Sequence, residues 1–529
     1  MSAATAPDGA GDADSHVGSN VVLRDRPLEW RDVAAVADGA QLRVTESARL
    51  RIDTARAIVD TLIARGIPAY GVNTGVGALC NQAVDRPEQR RLSRNLLMSH
   101  ACGIGRPLDT VQARAIIAAQ INNYAHGRSG VRWAVVERLC EFLLRDCVPE
   151  VPSRGSVGYL THMAHIALVL VGEGHARLSG VRMTGGEALI RLGLPPLVLE
   201  AKEGLSLVNG TPCVTGLACL ALARTERLLE WADVVAAMSF ENLGGQSAAF
   251  AKEALIMRTS PGLTRVGENF RALLAGSEML AASQGARLQD ALSLRAVPHV
   301  HGAARDVFAH VAEVVNRELD SATDNPLVGG TAEAPEVFSG AHAVGAAIGL
   351  AMDSLSTAVA EVAAMSERRL DRLLNPMVSG LPPFLSAESG VCSGFMIAQY
   401  SAVSLVAENR RLAAPSSLDG GITSALQEDH LSHATPAAAS ALAIIENAER
   451  ILGIELLAAA QAYELQPAAL ARAPGTDAIY RRLRKAVPTY NDDRPLAVDM
   501  NAAGQFIRNV SIESVSHRQS VSGHDRVAG

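Results

Sequence analysis

Aromatic side chains are scarce in this sequence: Phe, Trp and Tyr make up 4% of the 529 residues, whereas 48% of the residues are hydrophobic. A composition rich in Ala, Leu, Val and Arg and poor in aromatic residues favours helices over β-sandwiches. An excess of basic charge is also absent, because the net charge is −7 and the pI is near 6.1. The sequence therefore argues against a nucleic-acid partner.

No two cysteines have the Cys-x-x-Cys spacing of a redox motif or a zinc site. The seven cysteines are scattered among apolar neighbours, at positions 80, 102, 140, 147, 213, 219 and 392. This distribution predicts free thiols in a reducing compartment rather than disulfides. His162, His165, His299 and His301 also lack the spacing of a known ligand set, so we predict no metal site.

Neither an apolar leader nor an internal linker is evident. Residues 1–20 are polar, without the apolar core of a signal peptide, so we expect a cytoplasmic protein. We predict disordered tails at residues 1–20 and 511–529, an N-terminal lobe over residues 21–225, and a helical-bundle domain over residues 226–510.

Long segments have apolar residues at helical spacing, whereas strand-like runs are short. The helical segments are Ala48–Ala64, Val111–Ala125, Ala134–Leu144, Gly216–Met238, Ala343–Ala364 and Thr435–Gln461. The last two exceed twenty residues, but polar and charged residues interrupt them, so we predict buried bundle helices and no membrane partner. Examples of the short strand-like patterns are His175–Met183 and Gln41–Val44.

Several motifs follow one another along the chain. They are Tyr70–Gly77 (Tyr-Gly-Val-Asn-Thr-Gly-Val-Gly), Leu205–Thr211 (Leu-Ser-Leu-Val-Asn-Gly-Thr), Ser293–Arg295, Asp324–Pro326, Ser379–Gln399 and Gln427–His430. The glycines between residues 71 and 77 are not followed by Lys-Ser/Thr, which argues against a phosphate-binding loop. Glycines at this spacing suit a mobile loop that carries Tyr70 over a pocket.

In this order the motifs resemble those of the histidine ammonia-lyases, within the aromatic amino acid lyase superfamily. The resemblance implies an all-α fold, an elongated bundle of long helices of the ammonia-lyase/fumarase-like type with a small mixed N-terminal lobe. It also implies a homotetramer whose active sites are each shared by several subunits. We therefore expect a carbon–nitrogen lyase that acts on a small molecule by β-elimination.

The resemblance extends through Val151–Gly174, but with a gap of three residues. In the family, Gly-Ser-Val-Gly is followed by Ala-Ser-Gly, which cyclises into the electrophilic methylidene-imidazolone (MIO) group. Here Gly158 is followed directly by Tyr159. From this gap we predict that MIO is absent and that the enzyme has no cofactor.

A lyase without an electrophile requires a substrate whose amine leaves unaided. A quaternary trimethylammonium group departs as neutral trimethylamine, and it has no lone pair with which to attack MIO. With the histidine-branch resemblance, this argument predicts an ergothionase-like enzyme that converts ergothioneine to thiourocanate and trimethylamine. The alternatives are an MIO-dependent histidine ammonia-lyase, which converts histidine to urocanate and ammonia, and a non-catalytic homologue.

The resemblance also assigns residue roles. Tyr70 matches the family's catalytic base, and its phenol, with an ordinary pKa of about 10, needs neighbouring cations to act near neutral pH. Glu428 is the next candidate for the base, and His100 and Glu428 match positions that contact an imidazole ring. Arg295 matches the residue that binds the substrate carboxylate, for which a guanidinium is geometrically suited.

Further polar and aromatic side chains complete the predicted pocket. Asn209 and Asn325 match pocket amides of the family, although either could instead cap a helix. Gln289 is the remaining predicted polar contact. Tyr159 and Tyr124 are candidates to bind a quaternary ammonium by cation–π attraction, and the alternative for Tyr124 is simple packing.

Overall fold

The structure is a computed structural model that describes residues 20–23 and 26–512. Apart from Asn20, Ser511 and Ile512, the two predicted tails lie outside the described residues.

Long helices dominate the described part of the chain. The α-helices are α1 (Trp30–Ala37), α2 (Glu46–Ala64), α3 (Gln89–His100), α4 (Thr110–Ala125), α5 (Trp133–Leu144), α6 (Thr161–Leu170), α7 (Gly185–Leu192), α8 (Glu203–Val208), α9 (Pro212–Asn242), α10 (Lys252–Leu255), α11 (Pro261–Leu274), α12 (Glu278–Ser283), α13 (Leu292–Arg295), α14 (Val297–Leu319), α15 (Ala346–Leu374), α16 (Pro376–Ser379), α17 (Met396–Leu412), α18 (Ala434–Leu465), α19 (Pro474–Ala486) and α20 (Leu496–Asn509). Short 3₁₀ turns lie at Gly77–Leu79, Arg86–Glu88, Ser247–Phe250, Pro383–Leu385, Ser416–Leu418 and Ser424–Leu426.

Strands are few and short among the described residues. They are β1 (Asn20–Leu23), β2 (Gln41–Val44), β3 (Ile104–Pro107), β4 (Cys147–Pro149), β5 (Pro152–Arg154), β6 (His175–Leu178), β7 (Val181–Thr184), β8 (Leu327–Gly330) and β9 (Pro335–Phe338). β1 pairs with β2 in parallel, with Asn20 opposite Gln41, while β3–β5, β8–β9 and the three-stranded sheet β4-β6-β7 are antiparallel. The prediction of an all-α fold with small local strands is confirmed, including the strands at residues 41–44 and 175–183.

The core lies where α9, α14, α15, α18 and α20 pack side by side. Each helix is rich in Ala, Leu, Ile and Val, and α18 buries most of its residues from Ala434 to Tyr463. Small alanines allow such helices to approach closely, and the hydrophobic effect favours the buried arrangement. The predicted lobe boundary at residues 225 and 226 stays a prediction, and α9 runs across it without interruption.

One buried ion pair joins three of these core helices. Arg369 of α15 and Glu455 of α18 are both 0% exposed and bind each other through two hydrogen bonds, of 2.7 and 2.9 Å. Ser239 of α9 and Ser366 each donate a hydrogen bond of 2.6 Å to the same carboxylate. Because a buried charge is tolerated only when it is paired and hydrogen-bonded, this network restricts how the helices can pack.

Two stretches have the length and composition of a membrane span, Glu203–Asn242 and Ala346–Leu374. The most apolar part of the first is entirely buried inside the protein, and 61% of that of the second is buried. Core helices of large helical proteins have the same composition, so length and hydropathy alone do not indicate a membrane here.

Candidate functional site

The loop that follows α2 is held in shape by its own polar groups. The Tyr70 hydroxyl accepts a hydrogen bond of 2.8 Å from the backbone N–H of Gly77. The Asn73 carboxamide oxygen accepts one of 2.8 Å from the N–H of Ala69. Gly71 has a φ of +60°, and a Cβ there would lie 2.2 Å from Leu205, so glycine is required. This loop presents the half-buried Tyr70 ring at a fixed place.

A second loop, between α17 and α18, carries Glu428 to the tyrosine loop. Thr423 and Glu428 pair through their backbones, and the Thr423 hydroxyl donates a hydrogen bond of 3.0 Å to the Glu428 carboxylate. Between them, residues 424–426 have left-handed φ values of 52°, 50° and 72°, although none is glycine. The tip contacts the tyrosine loop, because the Ser424 hydroxyl accepts a hydrogen bond of 3.3 Å from the N–H of Ala78.

The segment that leads into α6 packs against the start of α18. The N–H of His433 donates to the carbonyl of Val157 at 2.9 Å, and the Thr435 hydroxyl donates to the carbonyl of Gly158 at 3.1 Å. Gly158 has a φ of +141°, and a Cβ there would lie 2.6 Å from the Ser432 hydroxyl. The close approach places Tyr159 beside Glu428 and Tyr70, with which it interacts electrostatically.

Burial and negative charge determine the acidity of this cluster. Burial raises the pKa of Tyr70, the hydrogen bond from Gly77 lowers it, and Glu428 and Cys80 raise it. Burial, with Glu428 and Tyr70, raises the pKa of Tyr159 to about 12. We expected a cation beside Tyr70, but none of the described groups that change the pKa of Tyr70 is a cation. The groups of a single protomer therefore do not favour the Tyr70 phenolate.

His100 lies at the C-terminal end of α3, on the edge of the same cluster. Burial lowers the pKa of its imidazole, and the nearby Glu428 raises it. Its Nδ1 is 3.0 Å from the hydroxyl of Ser99. The structure therefore brings together four of the predicted site residues, Tyr70, His100, Tyr159 and Glu428.

The two predicted pocket amides form a neighbouring pair. The Asn209 side chain donates a hydrogen bond of 2.7 Å to the backbone carbonyl of Asn325, and the Asn325 side chain accepts one of 2.8 Å from Gly340. α9 starts two residues after Gly210, whose φ is +91°, with Pro212 in the first turn. Proline suits that position because its φ is already helical.

A buried ion pair that the motifs did not reveal supports these amides. Lys202 and Asp324 are 0% and 1% exposed and lie 2.9 Å apart. The Ser206 hydroxyl donates to the same Asp324 oxygen at 2.7 Å, and the other oxygen accepts the Asn325 N–H at 2.7 Å. In the sequence, Lys202 lies close to the Leu205–Thr211 motif and Asp324 precedes Asn325. No sequence pattern indicates that these two residues form an ion pair.

Tyr124 lies in the core. It is 1% exposed, and its hydroxyl donates a hydrogen bond of 3.0 Å to the carbonyl of Ser206. Burial and the nearby Asp324 raise its pKa. A ring with both faces packed and its hydroxyl bonded has the contacts of a packing residue, which was the alternative for Tyr124.

Arg295 and Gln289 make no hydrogen bond to the Tyr70 cluster among the described residues. The half-buried Arg295 ends the short helix α13, and its Nε donates a hydrogen bond of 2.9 Å to the carbonyl of Asp290. Gln289 is exposed, as are the apolar side chains of Leu288 and Leu292 beside it.

Two further features of the described chain bear on cofactors and ligands. Between residues 26 and 512, no group of three or more His, Cys, Asp or Glu side chains is arranged to hold a metal ion. A cavity of about 470 Å³ is lined by Phe240, Phe250 and Phe270, and none of the predicted site residues lines it.

The segment at Gly158 differs from the family segment from which the resemblance derives MIO. The Ser156 hydroxyl donates a hydrogen bond of 3.1 Å to the carbonyl of Tyr159, and that carbonyl also accepts the N–H of Thr161 at 3.1 Å. The turn closes directly into α6, with Gly158 joined to Tyr159 and no Ala-Ser-Gly between them. We therefore assign no catalytic step to MIO.

The long-helix bundle and the tyrosine, histidine and carboxylate cluster define a helical lyase. The sequence matches the aromatic amino acid lyase family over residues 28–485, and the chain belongs to that family. It is therefore a carbon–nitrogen lyase. A curated relative, the histidine ammonia-lyase of Anaeromyxobacter dehalogenans (strain 2CP-C), is 43% identical over 507 residues, which cover 93% of this chain and 99% of the relative.

Solved structures agree with this assignment. The histidine ammonia-lyase of Trypanosoma cruzi superposes with a TM-score of 0.87 at 33% identity, over 94% of this chain and 95% of that one. The ergothionase of Treponema denticola, solved with desmethyl-ergothioneine sulfonic acid, has a TM-score of 0.86 at 28% identity, over 92% of this chain and 98% of that one.

Two predictions from the sequence are wrong against these comparisons. The chain is 43% identical to a histidine ammonia-lyase but only 28% identical to the ergothionase, so the histidine ammonia-lyase alternative is better supported. The prediction that the enzyme has no cofactor conflicts with its membership of this family, because MIO is the prosthetic group of the family. Both predictions rested on the three-residue gap after Gly158. That gap is weaker evidence for function than the sequence similarity along the whole chain.

Proposed function

We propose that the protein eliminates the α-amino group of histidine, giving urocanate and ammonia. The observation that carries the proposal is the convergence of Tyr70, His100 and Glu428 in one cluster, within a chain whose curated relative is named histidine ammonia-lyase. The imidazole ring of a histidine substrate could form hydrogen bonds with the Glu428 carboxylate and the His100 imidazole. The phenyl ring of phenylalanine could not form these bonds.

Each residue then has one task. Glu428 and His100 bind the substrate ring, and Asn209 contributes an amide near the reacting carbons. Tyr70 accepts the β-proton, for which it must be a phenolate, and the α-amino group leaves as ammonia, a departure that MIO would assist in the family. The N–H of Gly77 stabilises that phenolate, because it donates to the oxygen that carries the charge.

We further propose that a neighbouring copy of the chain completes the site. Among the described residues no hydrogen bond joins Arg295 or Gln289 to Tyr70, and the neighbouring Leu288 and Leu292 are exposed. Exposed apolar groups of this kind are typical of subunit interfaces. A guanidinium from another copy would bind the substrate carboxylate and also favour the Tyr70 phenolate. A homotetramer, as the resemblance implies, would meet this requirement. A cytoplasmic location stays a prediction.

The reaction is tested with one purified sample and several substrates. We expect urocanate and ammonia in equal amounts from L-histidine, and no product from L-phenylalanine or L-tyrosine. The Tyr70→Phe variant is the matched control, because it keeps the ring and removes only the proton acceptor. Release of trimethylamine from a histidine betaine, with no urocanate from histidine, would overturn the proposal.

Shared sites are tested by mixing two inactive variants. Tyr70→Phe and Arg295→Ala should each lose activity when expressed alone. Co-expression should restore a fraction of the activity, because some sites then receive an intact Tyr70 from one copy and an intact Arg295 from another. If no activity returns although mixed assemblies form, both residues of a site come from one chain.

A further inference from the structure

Ser424 is the side chain through which the Glu428 loop contacts the tyrosine loop. Its hydroxyl accepts the N–H of Ala78 at 3.3 Å. A Cβ on Gly77 would lie 2.4 Å from the same hydroxyl, so the two loops touch at this point. Ser424 itself is half-buried and has a φ of +52°.

The amide that Ser424 binds is next in the chain to the amide that binds Tyr70. Gly77, with a φ of +55°, lies between them, and its own N–H donates to the Tyr70 hydroxyl at 2.8 Å. Fixing the Ala78 N–H limits rotation of the backbone at Gly77. We propose that Ser424 is a positioning residue that holds the Gly77–Ala78 turn, so that the Gly77 N–H stays on the Tyr70 hydroxyl. This inference rests on the proposed function only for the role of Tyr70 as the base.

The backbone around Ser424 is strained, which supports a role beyond filling space. Ser424, Ala425 and Leu426 are consecutive non-glycine residues in the left-handed region. Each such residue costs of the order of 1 kcal/mol and persists only where the surroundings enforce it. Here the pairing of Thr423 with Glu428 closes the turn. The carboxylate proposed to bind the substrate ring therefore belongs to the same turn that anchors the tyrosine loop.

The groups around the phenol determine what loss of this anchor would do. Glu428 and Cys80 raise the pKa of Tyr70, and the phenol of Tyr159 also interacts with it. The Gly77 N–H is the influence that lowers this pKa. Weakening that hydrogen bond should therefore raise the pKa of Tyr70 by about one pH unit, given the strength of hydrogen bonds to charged groups.

Three variants of Ser424 separate the hydroxyl from the backbone strain. Ser424→Ala and Ser424→Gly both remove the hydroxyl, but glycine accepts the left-handed φ without strain. Ser424→Asn retains an acceptor and tolerates that φ, so it should rescue part of the effect. Ser354→Ala is the matched control, because Ser354 is an exposed helical serine whose hydroxyl donates to the carbonyl of Leu350 in its own helix.

The first readout is the pH profile of kcat/KM with histidine. Both the alanine and the glycine variant should shift the ascending limb to higher pH by about one unit and lower kcat/KM near neutral pH about tenfold. The control should match the wild type. A shift in the alanine variant alone would mean that backbone strain, not the hydroxyl, is responsible, and would overturn the inference.

The second readout does not depend on turnover. The seven tyrosines of the chain can be replaced by 3-fluorotyrosine, whose phenol titrates at lower pH, and followed by ¹⁹F NMR, with Tyr70→Phe identifying the Tyr70 signal. Tyr70 should titrate at higher pH in Ser424→Ala and Ser424→Gly than in the wild type. An unchanged titration would overturn the positioning role. A shifted titration in a protein that does not convert histidine would uphold that role and reject the proposed function.

Discussion

The buried imidazole of His162 should make the fold sensitive to acid. The residue is 3% exposed, and its Nδ1 has no hydrogen-bond partner among the described residues. Burial lowers its pKa from 6.5 to about 4, a hydrogen bond with the backbone of Ser153 raises it, and the nearby His165 lowers it. A proton on this ring is therefore far less favourable in the folded chain than in the unfolded chain.

The sign of the effect follows from which state binds the proton. As the pH falls, the unfolded chain protonates His162 near pH 6.5 and the folded chain only near pH 4. Stability is thus fully present above about pH 6.5 and is lost as the pH falls towards about 4. The difference between the two pKa values corresponds to about 3 kcal/mol, of which about 2 kcal/mol is lost between pH 7 and pH 5.

The assay compares unfolding by urea at pH 7 and at pH 5, followed by circular dichroism. The His162→Leu variant removes the titrating ring but keeps an apolar side chain in its place. The free energy of unfolding of the wild type should fall by about 2 kcal/mol more than that of this variant. His310→Gln, an exposed position on α14, should behave as the wild type. A parallel loss of stability in the wild type and His162→Leu would refute the reasoning.

Three other substitutions have defined outcomes. Tyr70→Phe should lower kcat by about 10² to 10⁴ while the Kd for histidine, measured by calorimetry, changes little, because only the proton acceptor is lost. Arg369→Met should lower the free energy of unfolding by about 3 to 5 kcal/mol, because Glu455 is left buried without its cation, and thermal denaturation will measure this. Gly77→Ala should reduce kcat/KM more than it reduces Tm, because its Cβ would clash with Ser424 at the loop contact and not in the core.

Helical periodicity predicted the body of the fold well, because each long helix buries a recognisable set of apolar residues. Residues 111–125 were predicted as a helix, and α4 spans Thr110–Ala125. The motifs also indicated which side chains converge, since Tyr70, His100 and Glu428 meet although they are far apart in the chain. The order of the motifs thus indicated which side chains belong to one site, although it did not predict any individual contact between them.

Other features of the site were not accessible from the sequence. Left-handed backbone is usually signalled by glycine, but residues 424–426 are Ser, Ala and Leu, so the turn that anchors the tyrosine loop had no signature. Tyr124 was a candidate for cation–π binding, whereas in the structure its hydroxyl is bonded to the carbonyl of Ser206 in α8. Arg295 was assigned to the same site as Tyr70, but in the structure its Nε is bonded to the carbonyl of the nearby Asp290 and no hydrogen bond joins it to Tyr70 among the described residues.

The length of α18 has a consequence for how the enzyme can change. At 32 residues this helix is about 48 Å long, and its first turn is bonded to Gly158 while its last turn packs under Tyr480. A rod of this kind cannot shorten or bend to suit a different substrate without disturbing packing at its far end. Adjustment of the pocket, whether during a catalytic cycle or over evolutionary time, is thus left to the loops at residues 70–84 and 420–433. Directed evolution for new substrates should accordingly begin with saturation of these two loops and leave the helices unchanged.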